Sequence, residues 1–161
     1  LLESEQVERI ALILSDMAKL VIEHEREVLP TSERIELYDN REMFSSVASG
    51  SASWDAMIVV PASMGSVGRI AAGISQTLIE RAADVMLKER RRLVMVVREA
   101  PYSLIHLRNM VTLPEAGAII LPASPSFYFT PTTIEELCLT ITTRALEMAS
   151  IDVDHKHWGE E

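Results

Sequence analysis

Four short, nearly continuous apolar runs constrain the fold of this chain more than any other feature. They are Ile10-Ala11-Leu12-Ile13-Leu14, Ala56-Met57-Ile58-Val59-Val60, Leu93-Val94-Met95-Val96-Val97 and Ala118-Ile119-Ile120-Leu121. A strand with one wet face alternates apolar and polar residues, whereas a strand buried on both faces does not. Between the runs lie helical patterns over residues 16–27, 68–74, 82–91, 103–113 and 134–149. Thr132 or Thr133 suits the N-cap of the last, with Glu135 and Glu136 in its first turn, where carboxylates meet the positive end of the helix. Strand alternating with helix demands right-handed crossovers, so the expected fold is α/β, a parallel sheet with helices on both faces. Residues 28–54 are less regular, Ser45 to Ser53 (SSVASGSAS) reads as a flexible loop, and no internal repeat is visible.

With 161 residues the chain has room for one domain and one core. Its net charge of -9 argues against a nucleic-acid backbone or an anionic membrane as the main partner, but leaves room for a local cationic pocket. A single cysteine, Cys138, excludes an intramolecular disulfide and fits a reducing compartment. No run approaches the roughly 18 apolar residues of a membrane span. The expected location is the cytoplasm. The sequence opens on Leu1-Leu2-Glu3, which reads as the end of a helix, so residues upstream are expected to be missing from it.

In parallel sheets, ligands bind beyond the carboxyl ends of the strands. Four segments follow the apolar runs there: Ser15-Asp16, Pro61-Ala62-Ser63-Met64-Gly65-Ser66, Arg98-Glu99-Ala100-Pro101 and Pro122-Ala123 onward. The second is either an ordinary strand-to-helix turn or a cradle in which small residues let amides and hydroxyls approach a phosphate. It fits neither G-x-x-x-x-G-K-[ST] nor GxGxxG. Arg98-Glu99 is either a salt bridge at the sheet edge or a phosphate clamp beside a carboxylate that handles a proton or holds Lys88. Arg81 and Lys88 stand seven apart on one helical face, and the following Glu89 to Arg92 reads most simply as solvated surface or an oligomer contact. Ser124 to Phe129 is an aromatic loop that either plugs a core or offers an apolar wall with a phenol donor. Arg144 reads as an exposed salt-bridging residue. His24, His106 and the His155-Lys156-His157 tail form no metal-ligand spacing, and neither HExxH nor Gly-x-Ser-x-Gly occurs.

Several of these stretches resemble the UbiX and Pad family of flavin prenyltransferases. They are Asp55 to Ser66, Leu78 to Arg91 (with Glu80-Arg81-Ala82-Ala83-Asp84-Val85 and Leu87-Lys88-Glu89-Arg90-Arg91), Val97-Arg98-Glu99-Ala100-Pro101, His106 to Met110, Gly117 to Pro122, Phe127-Tyr128 and Trp158-Gly159-Glu160. The likeness covers nearly the whole chain. It implies a flavodoxin-like or Rossmann-like three-layer fold and a homo-oligomer, commonly a dodecamer. It also implies a reaction without metal, in which dimethylallyl phosphate prenylates reduced flavin mononucleotide (FMN) at N5 and a fourth ring closes at C6. The prenylated FMN then serves a UbiD-type decarboxylase.

By the same resemblance Ser15, Ser63, Met64, Gly65, Ser66 and Arg98 contact the flavin, and Tyr128 and Arg144 hold the prenyl phosphate. Arg81, Lys88, Glu99 and Glu25 match the polar active-site set, drawn together from neighbouring subunits. Departure of a phosphate calls for fixed positive charge and donors, which suits Arg81, Lys88, Arg144 and Tyr128. Ring closure calls for proton transfer, which suits Glu25, Glu99 or the released phosphate. Two departures stand out. Ala62 occupies a position where the family often has Cys, and the family's first strand with its Gly-Ala-Ser-Gly loop is expected ahead of Leu1. The rival readings are an FMN-dependent cysteine decarboxylase, whose turn resembles Pro-Ala-Ser-Ala-Asn-Thr, and a non-catalytic flavin-binding protein.

Overall fold

The computed structural model describes residues 1–128 and 130–153. Phe129, the His155-Lys156-His157 tail and the Trp158-Gly159-Glu160 match lie outside the described residues. All four apolar runs form strands: β1 (Ile10–Leu14), β3 (Ala56–Ala62), β4 (Arg92–Val97) and β5 (Ile119–Pro122). A further strand, β2 (Ile35–Asp39), lies in the stretch expected to be irregular. Its sequence IELYD places Glu36 and Asp39 among apolar residues, and it is largely exposed, as befits an edge rather than a doubly buried strand. Among the described residues five α-helices complete the fold: α1 (Asp16–Glu25), α2 (Met64–Ala71), α3 (Leu78–Lys88), α4 (Leu104–Ala116) and α5 (Ile134–Met148).

All pairings are parallel, but they fall into two ladders, β1-β2 and β3-β4-β5. β4, central in its ladder, shows why the arrangement is three-layered. Leu93, Met95 and Val97 pack on one side with Val67 and Ile70 of α2, Leu78 and Met86 of α3, and Leu113 of α4. Val94 and Val96 pack on the other with Ala145 of α5 and Ala149 just beyond it. Ala11 and Ile13 of β1 join the first cluster, so the two ladders share a core without sharing a hydrogen-bonded edge.

Local chemistry sets the helix ends. Ser15, Ser63, Thr77, Ser103 and Thr133 are N-caps, each accepting a backbone N–H with its side-chain oxygen. Of the two candidates for α5, Thr133 is therefore the cap. α2 begins at Met64, earlier than the pattern from Gly68 suggests, because Gly65 and Gly68 mask the periodicity. A side chain at Gly68 would meet Asn109 Nδ2 of α4 at 3.1 Å, so the glycine permits close contact between these helices.

The serine-rich loop is a built feature. Ser46–Ala48 form a single 3-10 turn with Val47 buried. Arg81 Nε donates to the Ala48 carbonyl at 3.1 Å, and Arg91 donates to those of Ala52 at 2.8 Å and Gly50 at 2.7 Å. Arg91 thus departs from the solvated reading of its basic run, since unpaired loop carbonyls need donors. Beyond the loop, Trp54 is buried beneath the Arg9 guanidinium, 4.0 Å from its ring centre.

Candidate functional site

The sheet register assembles one row of side chains. Ala62 pairs with Val97, and Val97 with Pro122, so Ser63, Arg98 and Ala123 leave the three strands side by side. The Ala123 N–H donates back to the Val97 carbonyl at 2.8 Å and holds the row together. Cis X–Pro bonds fall at Val60-Pro61, near the end of β3, and at Ala100-Pro101, in the loop after β4.

Ser63 caps α2: its Oγ accepts the Ser66 N–H at 3.2 Å and lies 3.1 Å from Ser66 Oγ. Met64 is buried and anchors the turn to the core. The N–H groups of Met64 and Gly65, at the start of the helix, have no intrahelical acceptor, and the helix dipole makes this end attractive to an anion. Arg98 is exposed beside it. Glu99 is half-buried, and its Oε1 accepts the Ala100 N–H at 3.2 Å. The combination of amides, two hydroxyls and a guanidinium suits an anionic ligand carrying phosphate.

Ser15 occupies the equivalent place on the other ladder, where Leu14 pairs with Asp39. Its Oγ caps α1 by accepting the Ala18 N–H at 3.1 Å. Ion pairs Lys19–Asp39 and Arg41–Asp16, both 3.0 Å, surround it. The Arg41 backbone N–H and the Lys19 ammonium hold the Asp39 carboxyl below the usual carboxylate range.

The remaining predicted residues lie elsewhere on the chain. Tyr128 is 77% exposed and lines an open depression with Ser124, Pro125, Ser126 and Phe127. Thr140 of α5 tethers that loop through its Oγ1, which accepts the Ser126 N–H at 3.1 Å. Arg144 pairs with Glu147 at 2.9 Å, as its salt-bridging reading requires, and borders a separate depression with Ile151, Asp152 and Val153. Arg81 pairs with Asp84 at 2.7 Å besides holding the loop. Lys88 pairs with Glu89 next to Gly50, near Arg92, where β4 begins. Arg98 sits at the other end of that strand, roughly 20 Å away at the usual rise per residue. Glu25 is exposed at the far end of α1 from Ser15. One chain therefore gathers Ser63, Met64, Gly65, Ser66 and Arg98, and does not bring Lys88 to them.

Two residues near the turn escape sequence reasoning. Glu80 is a buried carboxylate on α3 that ion-pairs with Arg69 of α2 and accepts the N–H groups of Gln76 and Thr77 at 2.9 and 3.1 Å. Burial opposes its ionisation, but the Arg69 hydrogen bond and those two amides outweigh it and keep its pKa below the ordinary value. The pattern Thr77-Leu78-Ile79-Glu80 is a capping-box signature that can mark Glu80 as a helix cap, whereas its pairing with Arg69 across two helices has no local signature.

A family model described as Flavoprotein matches residues 1–151. The flavin prenyltransferase UbiX of Thermoplasma acidophilum is 41% identical over 156 residues, covering 91% of this chain and 84% of that protein. This chain belongs to the UbiX flavin prenyltransferase family. Among solved UbiX structures, AnUbiX (PadA1) in complex with FMN and dimethylallyl pyrophosphate superimposes with a TM-score of 0.83 at 39% identity. It covers 92% of this chain and 82% of that one. A dodecameric FMN-dependent UbiX-like decarboxylase from Escherichia coli O157:H7 gives 0.84 at 35% identity, covering 94% and 84%. No described helix of this UbiX-family chain is long and apolar enough to cross a membrane.

Proposed function

We propose that this protein is a flavin prenyltransferase that moves a dimethylallyl group from dimethylallyl phosphate to reduced FMN, supplying prenylated FMN to a UbiD-type decarboxylase. One observation carries the reading. The Ser63–Ser66 turn and Arg98 form a phosphate-suited row in a UbiX-family chain, and a relative of 39% identity was solved with FMN and dimethylallyl pyrophosphate.

The chemistry breaks the bond between the dimethylallyl carbon and the phosphate oxygen and joins that carbon to flavin N5, which gives up its proton. The prenyl alkene then takes up a proton, its tertiary carbon bonds to C6, and C6 loses its hydrogen as a proton, so the ring closes with no net gain or loss. In this reading the Met64 and Gly65 amides, the Ser63 and Ser66 hydroxyls and Arg98 hold the flavin, with Ser15 on the adjoining ladder. Tyr128 and Arg144 grip the leaving phosphate, and Arg81 and Lys88 add positive charge as it departs. Glu25 and Glu99 accept protons. The separation of these groups along one chain favours a site composed from several subunits of a homo-oligomer. A dodecamer is the natural candidate, given the dodecameric relative. The absence of a described membrane-crossing helix and the single, exposed Cys138 are compatible with work in the cytoplasm.

Incubating the protein anaerobically with reduced FMN and dimethylallyl phosphate tests the proposal. Mass spectrometry is expected to find a flavin heavier by one dimethylallyl unit. Bound FMN that stays unmodified would defeat the transferase reading and leave a flavin-binding protein.

A further inference from the structure

The Glu80–Arg69 pair does more than cap a helix. A capping box requires an acceptor at its third position, and glutamine serves there as well as glutamate. In this chain the two oxygens divide the work. Glu80 Oε2 takes the Gln76 and Thr77 amides, while Oε1 takes Arg69 Nε from the neighbouring helix. The carboxylate is only 2% exposed, whereas the arginine side chain remains about half exposed (48%). A buried carboxylate with one charged partner leaves that partner little freedom.

Arg69 lies four residues after Gly65, hence on the same face of α2. Its Nη1 stands 3.2 Å from the point a Cβ on Gly65 would occupy. The guanidinium is planar, so holding Nε against Glu80 also sets where Nη1 lies. Glu80 therefore holds the Arg69 guanidinium close over Gly65, inside the turn whose amides and hydroxyls form the candidate cradle.

We infer that Glu80 and Arg69 are positioning residues for the Ser63–Ser66 turn, and that Gly65 leaves room for the Arg69 guanidinium, which a side chain there would crowd. The link to flavin rests on the cradle reading above. The mechanical part stands on its own geometry.

Two readouts keep the parts separate. In the ligand-free protein, hydrogen exchange at the Ser66 and Val67 amides, which donate to Ser63, is expected to speed up in Arg69→Met and Glu80→Gln, with exchange in α3 unchanged in Glu80→Gln. Fluorescence titration with FMN is expected to show binding about tenfold weaker in each, the scale of one lost charge-assisted hydrogen bond. The double variant should be no worse than either single one, since both cut the same link. Arg69→Lys, which keeps charge but loses the planar fork, should fall between Arg69→Met and wild type. Gly65→Ala should weaken FMN binding in the wild-type background and add little in Arg69→Met. Unchanged exchange at Ser66 and Val67 in Glu80→Gln, which keeps a capping-box acceptor and leaves no buried charge unpaired, would overturn the inference. So would additive effects in the double variant. Faster exchange with no FMN binding even in the wild type would sink the cradle reading and leave the positioning link standing.

Discussion

Ser63 shows how one side chain serves two ends. Its hydroxyl closes the first turn of α2, and the same geometry turns the Met64 and Gly65 amides outward. Ser63→Ala should cost about 1 kcal/mol through the lost cap, read from the urea midpoint. It should also weaken FMN binding beyond what that destabilisation explains. Glu80 makes a prediction about pH. Its folded pKa is depressed, so its contribution to stability is fully present above the ordinary carboxylate value and is lost as the pH falls through the depressed one. The wild type should therefore lose stability on acidification to roughly pH 4 and below, while Glu80→Gln should start less stable and show a shallower acid slope. Glu136 and Asp39 are also depressed, the first by the Thr132 and Thr133 amides and the Thr132 hydroxyl, the second chiefly by the Arg41 amide. They are solvent-exposed groups present in both proteins, so the difference between the two acid profiles isolates Glu80.

At the scale of elements, the apolar runs were legible because burial on both faces leaves a period-free signature, and all four became strands. β2 was not, because an edge strand carrying Glu36 and Asp39 looks like loop. The serine-rich segment misled for a related reason. Its order comes from Arg81 and Arg91, more than 30 residues away, and no local pattern can show that. The Ser63–Ser66 turn could be read because its chemistry is contiguous, whereas the Glu80–Arg69 link joins two helices. Helix α4 shows a face that the described residues leave uncovered. Leu104, Leu107 and Val111, spaced by three and four residues on one side of the helix, are all exposed, Leu104 by 61%. Such an apolar stripe marks a contact, and in the oligomer reading the contact is another copy of the chain. Leu104→Glu should therefore leave the thermal melt of the dissociated chain within about 0.5 kcal/mol of wild type, as surface substitutions do. It should shift sedimentation towards smaller species. A variant that melts early yet assembles normally would show the face to be internal packing.

On the scale of the whole molecule, the positions of the predicted groups decide where a site can be complete. The strands of each ladder are parallel, so their carboxyl ends share one edge, and Ser63 and Arg98 stand on it. Lys88 stands where β4 begins, and Glu25 lies about 15 Å along α1 from Ser15 at the usual helical rise. No rotation of side chains closes such distances within one chain, whereas symmetry in a homo-oligomer brings one edge of a subunit against another part of its neighbour. Mixing two inactive proteins distinguishes the arrangements. Arg98→Ala keeps Glu25 but spoils the cradle, and Glu25→Gln keeps the cradle but loses the carboxylate. If each site draws its cradle from one subunit and its Glu25 from another, random mixed oligomers contain some sites with both parts intact. The chance is one half for each part, so about a quarter of wild-type prenyl transfer should return. If both residues serve the site of their own chain, every site carries a defect and mixing restores nothing. The readout is prenylated flavin formed per subunit after co-expression, compared with each variant expressed alone.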